Sequence, residues 1–193
     1  SLLVDSYRGS LTLTADGGLR LSVPVNLAVD GDQVVALPSQ DTYDESDDPD
    51  NVPWNGSAPQ LRIDQFSDGF LQYDLTSEAG KVAGSAVLTL GLDWASSDTL
   101  RVYAFSDDSW DEDTLTHNNR PDEATHKGDL LHSIIGPADD AVLEIDVTAY
   151  VNDSLGNGDN LISFFIDTDD ADNSGFGIIA RNEAAQIRGC LES

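Results

Sequence analysis

Short runs of alternating apolar and polar residues follow one another along most of the chain. In FLQYDL at residues 70–75, Leu71, Tyr73 and Leu75 share one face while Gln72 and Asp74 share the other. This period of two is typical of a half-buried strand. The same character is found in LTLTA (11–15), LRLSVPVNLAV (19–29), QVVAL (33–37), QLRID (60–64), SAVLTLGL (85–92), TLRVYAF (99–105), AVLEIDV (141–147), NLISFFID (160–167) and FGIIAR (176–181).

A helical period is found only around VTAYVND at residues 147–153, where the pattern predicts one turn with Asp146 as its cap. Many short strands separated by turn residues predict an all-β fold, a two-sheet antiparallel β-sandwich of the jelly-roll type. We expect two parts: a strand-rich N-terminal leader (residues 1–37) and a sandwich domain (residues 38–193). Residues 41–59 form a long acidic loop with three prolines, a length usual for a functional or metal-ordered loop.

The charge of the chain narrows the choice of partners. Its 193 residues contain 36 Asp and Glu against nine Lys and Arg, a formal net charge of −27. Such a field repels nucleic acid and anionic membranes, and no apolar run is long enough to insert into a bilayer. Salt or divalent cations relieve the repulsion between the acids. We therefore expect an extracellular or cell-surface location, although selection for solubility alone would give the same composition.

Catalysis has no specific signal in this sequence. With so many acids, some carboxylate pair satisfies any spacing by chance. His117, His126 and His132 lie in or near one polar connection, and no G-x-S-x-G motif accompanies them. We expect a protein that is not an enzyme.

Calcium is better supported by the sequence. Within DTDDADNSG at residues 167–175, Asp170, Asp172, Ser174 and Gly175 match the first half of an EF-hand loop, in which oxygen ligands converge on a hard cation. The match ends at position twelve, which is Arg181 instead of Glu. Oxygens from residues 44–50 would then complete the site, and the alternative is an acidic turn without an ion. The predicted calcium ligands are Asp44, Asp47, Asp167, Asp169, Asp170, Asp172 and Ser174.

The order of motifs resembles the DNRLRE-type carbohydrate-binding modules, β-sandwich domains of secreted polysaccharide-degrading enzymes and surface proteins. DTYD at residues 41–44 is followed by PQLRID, FLQYDL, GSAVLTLGL and TLRVYAF, and then by WDEDTLTHNNRP from Trp110 to Pro121. IDVTAYV and FGIIARNEA complete the order. His117 stands where the family usually has an aromatic residue, and the leader has no counterpart. We expect Trp110 to be buried as a lid on the end of the sandwich.

The resemblance implies a surface that binds polysaccharide. Trp54 and Tyr43, in and beside the acidic loop, are the predicted aromatic contacts, with Arg62 and Arg181 as hydrogen-bonding partners for hydroxyl groups. Trp94 follows a strand and is interpreted as a residue at the rim of the core. The net charge favours a neutral polysaccharide over a sulfated or uronic one.

The sequence thus predicts a non-catalytic extracellular module that binds polysaccharide and is stabilised by calcium. The alternative is a self-assembling subunit of an extracellular filament or surface layer, with acidic loops that bind calcium between subunits. In that case the apolar LRLSVPVNLAV segment would be donated to the sheet edge of a neighbouring copy.

Overall fold

A computed structural model describes residues 6–14, 20–28, 32–53, 60–169, 174–179 and 186–192. Thirteen strands, two helices and a 3-10 turn at Thr76–Glu78 are formed by these residues. The strands are β1 (Ser6–Thr14), β2 (Arg20–Ala28), β3 (Asp32–Ala36), β4 (Gln40–Tyr43), β5 (Gln60–Ile63), β6 (Gly69–Asp74), β7 (Val82–Trp94), β8 (Thr99–Phe105), β9 (Lys127–Ile135), β10 (Val142–Asp146), β11 (Leu161–Thr168), β12 (Phe176–Ile179) and β13 (Gln186–Glu192). The helices are α1 (Glu123–His126) and α2 (Thr148–Gly156).

The strands form two large antiparallel sheets and a separate ribbon. The first sheet has the order β3-β13-β7-β12-β5, with β10 also paired to β7, and the second has the order β4-β6-β11-β8-β9. The ribbon consists of β1 and β2, which pair along their whole length. The predicted all-β fold of two antiparallel sheets is therefore confirmed.

The core lies between the two sheets because alternate residues of their strands face inward. Leu88, Leu90 and Leu92 of β7 are at most 1% exposed, and Phe164 and Ile166 of β11 are fully buried opposite them. Each such side chain contributes about 1.5–3 kcal/mol through burial. The apolar residues of the alternating pattern are thus the ones that pack between the two sheets.

A smaller aromatic cluster covers the outer face of the second sheet. Phe70, Phe105 and Phe165 extend from that face and pack against Trp110 and Leu115, which lie in the loop between β8 and α1. Trp110 is 6% exposed, and its indole N–H donates to the hydroxyl of Ser163 at 3.3 Å. Trp110 is therefore buried as predicted, but it covers the outer face of the second sheet and not the end of the sandwich.

Helix α2 is longer than the single turn that the sequence predicts. Asp146 lies just before it and accepts the backbone N–H of Thr148 at 3.0 Å. The helix continues to Gly156 because Val151 and Leu155 are buried in the main core. Packing against the sheets thus extends a segment whose own periodicity is weak.

Three strands were not predicted: β4, β9 and β13. The three strands of the predicted leader (residues 1–37) do not form one unit. Strand β3 pairs with β13 in the first sheet, whereas β1 and β2 pair only with each other among the described strands. The boundary between residues 37 and 38 stays a prediction. Among the described residues, no helix has the length and apolar character required to span a membrane.

Candidate functional site

A bulge near the end of β7 turns one aromatic residue to the outside of the first sheet. Leu88, Leu90 and Leu92 all face the core, so strict alternation would turn Trp94 inward as well. Ile178 of β12 pairs with Leu92, whereas the preceding Gly177 pairs with Trp94, which leaves Asp93 as an extra residue. Such an extra residue re-aims the side chains that follow it. Trp94 therefore lies on the outer face and is partly exposed.

Gly177 provides the space in which the indole of Trp94 lies. A Cβ atom at position 177 would be 2.6 Å from Cδ1 and 2.7 Å from Cε2 of this indole. Side-chain carbons normally approach no closer than about 3.5 Å. Only glycine therefore allows the pyrrole part of the ring to lie against the β12 backbone, and this contact fixes the position of the ring.

Polar side chains surround Trp94 on the same face. Arg62 pairs with Gly177 from the other side, so Arg62, Gly177 and Trp94 form one row across three strands. The side chain of Arg62 is 40% exposed and forms an ion pair with Asp64. Gln60, further along β5, donates from Nε2 to Oδ2 of Asp93 at 2.6 Å. A partly exposed indole, a guanidinium, an amide and a carboxylate thus share one sheet face.

This combination of groups is suited to a sugar ring, whose C–H groups pack on an indole while its hydroxyls bind planar polar groups. A family model for carbohydrate-binding module family 96 matches residues 32–188. The chain belongs to carbohydrate-binding module family 96. A search of curated proteins finds no match. The family 96 match includes every strand of the two sheets from β3 to β12 and begins after the ribbon.

The residues predicted to bind polysaccharide have different locations in this family 96 module. Arg62 lies beside Trp94 on the outer face of the first sheet. Tyr43 is 5% exposed and belongs to the main core, so its ring offers little surface for a ligand. Trp54 and Arg181 lie outside the described residues. Their roles stay predictions.

Asp44, a predicted calcium ligand, is fully buried and lies beside Arg120 and His117. Its Oδ1 accepts the backbone N–H of Asp68 at 3.0 Å, and its Oδ2 lies 3.1 Å from the guanidinium of Arg120 and next to the ring of His117. Arg120 also binds Asp68, at 2.5 Å, and Glu123. A guanidinium therefore lies at the point where these three carboxylates converge.

Asp68 has an unusual proton affinity in this cluster. Burial raises the pKa of its carboxyl group to about 7, and the hydrogen bond from Arg120 offsets only part of this effect. The neighbouring Asp44 carboxylate raises the pKa further. Asp68 therefore changes charge near neutral pH, far above the range of an ordinary aspartate.

Asp167 and Asp169, also predicted ligands, form ion pairs on the surface of the second sheet. Arg101 lies 3.3 Å from Asp167 and 3.1 Å from Asp169, and Lys127 binds Asp167 at 2.5 Å. The ammonium group of Lys127 also lies 4.2 Å from the centre of the Tyr103 ring. These acids are thus already neutralised by cations of the chain.

The remaining predicted ligands are spread over two loops. Asp47 is exposed in a turn, and Ser174 donates from Oγ to Oδ2 of Asp98 at 2.8 Å. Asp170 and Asp172 lie outside the described residues. In the part of the chain that the structure describes, no three His, Cys, Asp or Glu side chains form a group that could hold a metal ion.

Trp94 is the residue of this face that sequence reasoning missed. Its position two residues after Leu92 continues the inward series of β7, and a one-residue bulge leaves no mark in the apolar pattern. Gly177 was the available signal, because a glycine inside a strand often marks a bulge or a close approach of another group.

Proposed function

We propose that this protein is a non-catalytic extracellular module that binds polysaccharide through the outer face of β5, β12 and β7. The observation that carries the proposal is Trp94, turned outward by the bulge at Asp93 and held against Gly177 beside Arg62. Membership of carbohydrate-binding module family 96 supports the same function.

The chemistry of the face favours a neutral polysaccharide. Arg62 is already paired with Asp64, and Asp93 adds a carboxylate next to Trp94. A uronic or sulfated chain would therefore approach a face without an unpaired cation among Gln60, Arg62, Asp93 and Trp94, on a protein with a net charge of −27. Hydroxyl groups, in contrast, can both donate to Asp93 and accept from Gln60 or Arg62.

Two of the predicted sugar-binding residues are close in sequence to one end of this surface. Gln60 and Ile179 are register partners at the ends of β5 and β12. Trp54 precedes Gln60 by six positions and Arg181 follows Ile179 by two. Their contribution to binding stays a prediction.

Affinity electrophoresis in gels that contain neutral or uronic polysaccharides tests the proposal. Trp94→Ala should lose retention, with affinity reduced about tenfold or more through loss of the aromatic contact. Tyr103→Ala is the matched control, since Tyr103 is a partly exposed aromatic on the other sheet. Equal retention of wild type and Trp94→Ala, with retention lost in Tyr103→Ala, would place the binding site elsewhere.

Calcium is a separate proposal, which we restrict to the loop at residues 170–175. The hydrogen bond between Ser174 and Asp98 brings a carboxylate from a second segment to the end of this loop, as a completed oxygen site would require. Calcium should then raise the melting temperature of the wild type and have no effect on Asp172→Asn. Identical melting in calcium and in chelator, at constant ionic strength, would contradict the proposal.

A further inference from the structure

The ribbon of β1 and β2 lies outside both sheets of the sandwich. Its nine register pairs run from Ser6 with Ala28 to Thr14 with Arg20, and no other described strand pairs with it. A two-stranded ribbon is at best marginally stable in water and needs a further surface. Burial of one of its faces against a further surface would therefore stabilise the ribbon.

The residue types of the ribbon indicate an apolar partner. In β2, every second position is apolar, and the register places these positions opposite Tyr7, Gly9, Leu11 and Leu13 of β1. Serine, threonine, arginine and asparagine dominate the alternate positions. One face of the ribbon is thus assigned apolar residues along its full length, in an arrangement that gains stability from burial.

Charge distinguishes the ribbon from the rest of the chain. Residues 6–28 contain Arg8, Arg20 and a single acid, Asp16, so this segment carries one net positive charge in a protein of net charge −27. All other segments together are therefore strongly acidic. A second copy of this chain offers the complementary charge, and the ribbon is where two such acidic proteins approach each other with least repulsion.

Strand β9 provides an edge that can accept the ribbon. It is the terminal strand of the second sheet as far as the described residues extend, and its nine residues match the length of β1. Leu130 and Ile135 are 52% and 75% exposed, and Val142 of the adjacent β10 is 64% exposed. The charges of Lys127 and Asp129 cancel, so residues 127–135 carry no formal net charge. The outer edge of β9 presents backbone N–H and C=O groups to which a strand of another chain can pair.

The topology places the attachment of the ribbon and the β9 edge on opposite sides of the sandwich. The ribbon joins β3 through three residues, a connection of at most about 14 Å. From β3 the first sheet continues through β13 and β7 to β10, a width of about 14 Å, and β9 borders β10. The ribbon is thus tethered at the edge opposite the one that accepts it, and a head-to-tail arrangement of copies brings the two together.

We propose that the β1–β2 ribbon of one copy adds to the β9 edge of a second copy, so that the module self-assembles head to tail. The donating edge is β1, because Pro24 in β2 lacks the N–H that a continuous ladder needs. Assembly strengthens as salt rises, since the remaining contacts between the two acidic bodies are repulsive.

Cross-linking of the full chain tests the direction and the partner. In a Cys190→Ser background, copies with Ser10→Cys in β1 are mixed with copies with Ser133→Cys in β9 and treated with a short bismaleimide. The expected product is a covalent dimer that requires both variants. Dimers of Ser10→Cys alone, or a cross-linked monomer of the double variant, would overturn the proposal in favour of ribbon-to-ribbon or intramolecular packing. Absence of any cross-link also overturns it.

Sedimentation velocity over a concentration series provides the second measurement. Leu130→Lys with Ile135→Lys should raise the dissociation constant by about tenfold or more. Val82→Lys is the control, because Val82 is 59% exposed on β7, away from β9, and it should leave association within about twofold of wild type. A wild type that stays monomeric in high salt, or equal weakening by both changes, refutes pairing at β9.

Discussion

The contact between Gly177 and Trp94 gives a sharp test of how the outer face is built. In Gly177→Ala, the added methyl group would lie 2.6 Å from Cδ1 of the indole. Relief of this overlap requires the ring to move by about 1 Å. Overpacking of this kind costs about 1–3 kcal/mol. For a chain of this length, the melting temperature should fall by about 2–4 °C for each kcal/mol.

Removal of the ring should abolish most of this cost. We expect Gly177→Ala to destabilise the wild type but to have a much smaller effect in a Trp94→Ala background, a coupling of about 1–2 kcal/mol between the two sites. Urea denaturation of the four proteins of this cycle measures the coupling. Gly156→Ala is the control, because a Cβ there has no neighbour within 4 Å and alanine favours the helix. An equal cost of Gly177→Ala in both backgrounds would refute the assigned contact.

Three further changes probe the rest of the module by urea denaturation. Trp110→Ala should cost about 3–5 kcal/mol through loss of the aromatic cluster without weakening polysaccharide binding; unchanged stability would contradict its lid role. Arg120→Met should cost about 3–5 kcal/mol, because Asp44 stays buried without its guanidinium, and a cost below about 1 kcal/mol would show that the pair is dispensable. Native Asp68 keeps its proton to about pH 7, so between about pH 4 and 7 it binds more protons than in the unfolded chain and lowers the free energy of unfolding as pH rises. Asp68→Asn should therefore gain stability relative to wild type between about pH 4.5 and 7.5, and a pH-independent difference would contradict the raised pKa.

Sequence reasoning located most strands because their residues alternate strictly. TLRVYAF became β8 with the same bounds, and FLQYDL became β6 to within one residue at each end. Strand β9 escaped detection because KGDLLHSII has no regular alternation, and β13 because Gly189 interrupts a short run. A Cβ at Gly189 would lie 2.8 Å from the carbonyl oxygen of Ser85, so sheet packing explains this glycine.

The candidate site was harder to predict from the sequence than the fold, because its contacts join residues that are far apart along the chain. Arg62 was predicted from its residue type and lies beside Trp94. Asp44 has the oxygen chemistry of a calcium ligand, but Arg120, 76 positions later, lies against it. Composition identifies acids that can bind a cation, whereas only tertiary structure shows that the cation nearest to Asp44 is an arginine of the same chain.

The bulge at Asp93 makes the acid and the aromatic ring of the outer face separable by a change in the length of β7. Loss of the Asp93 codon would place the tryptophan directly after Leu92, where strict alternation keeps it on the outer face and opposite Gly177. The carboxylate that accepts from Gln60 would be lost, whereas the indole would remain. In this module, a single-residue deletion is thus an evolutionary step that removes a charge from the face and keeps its aromatic ring.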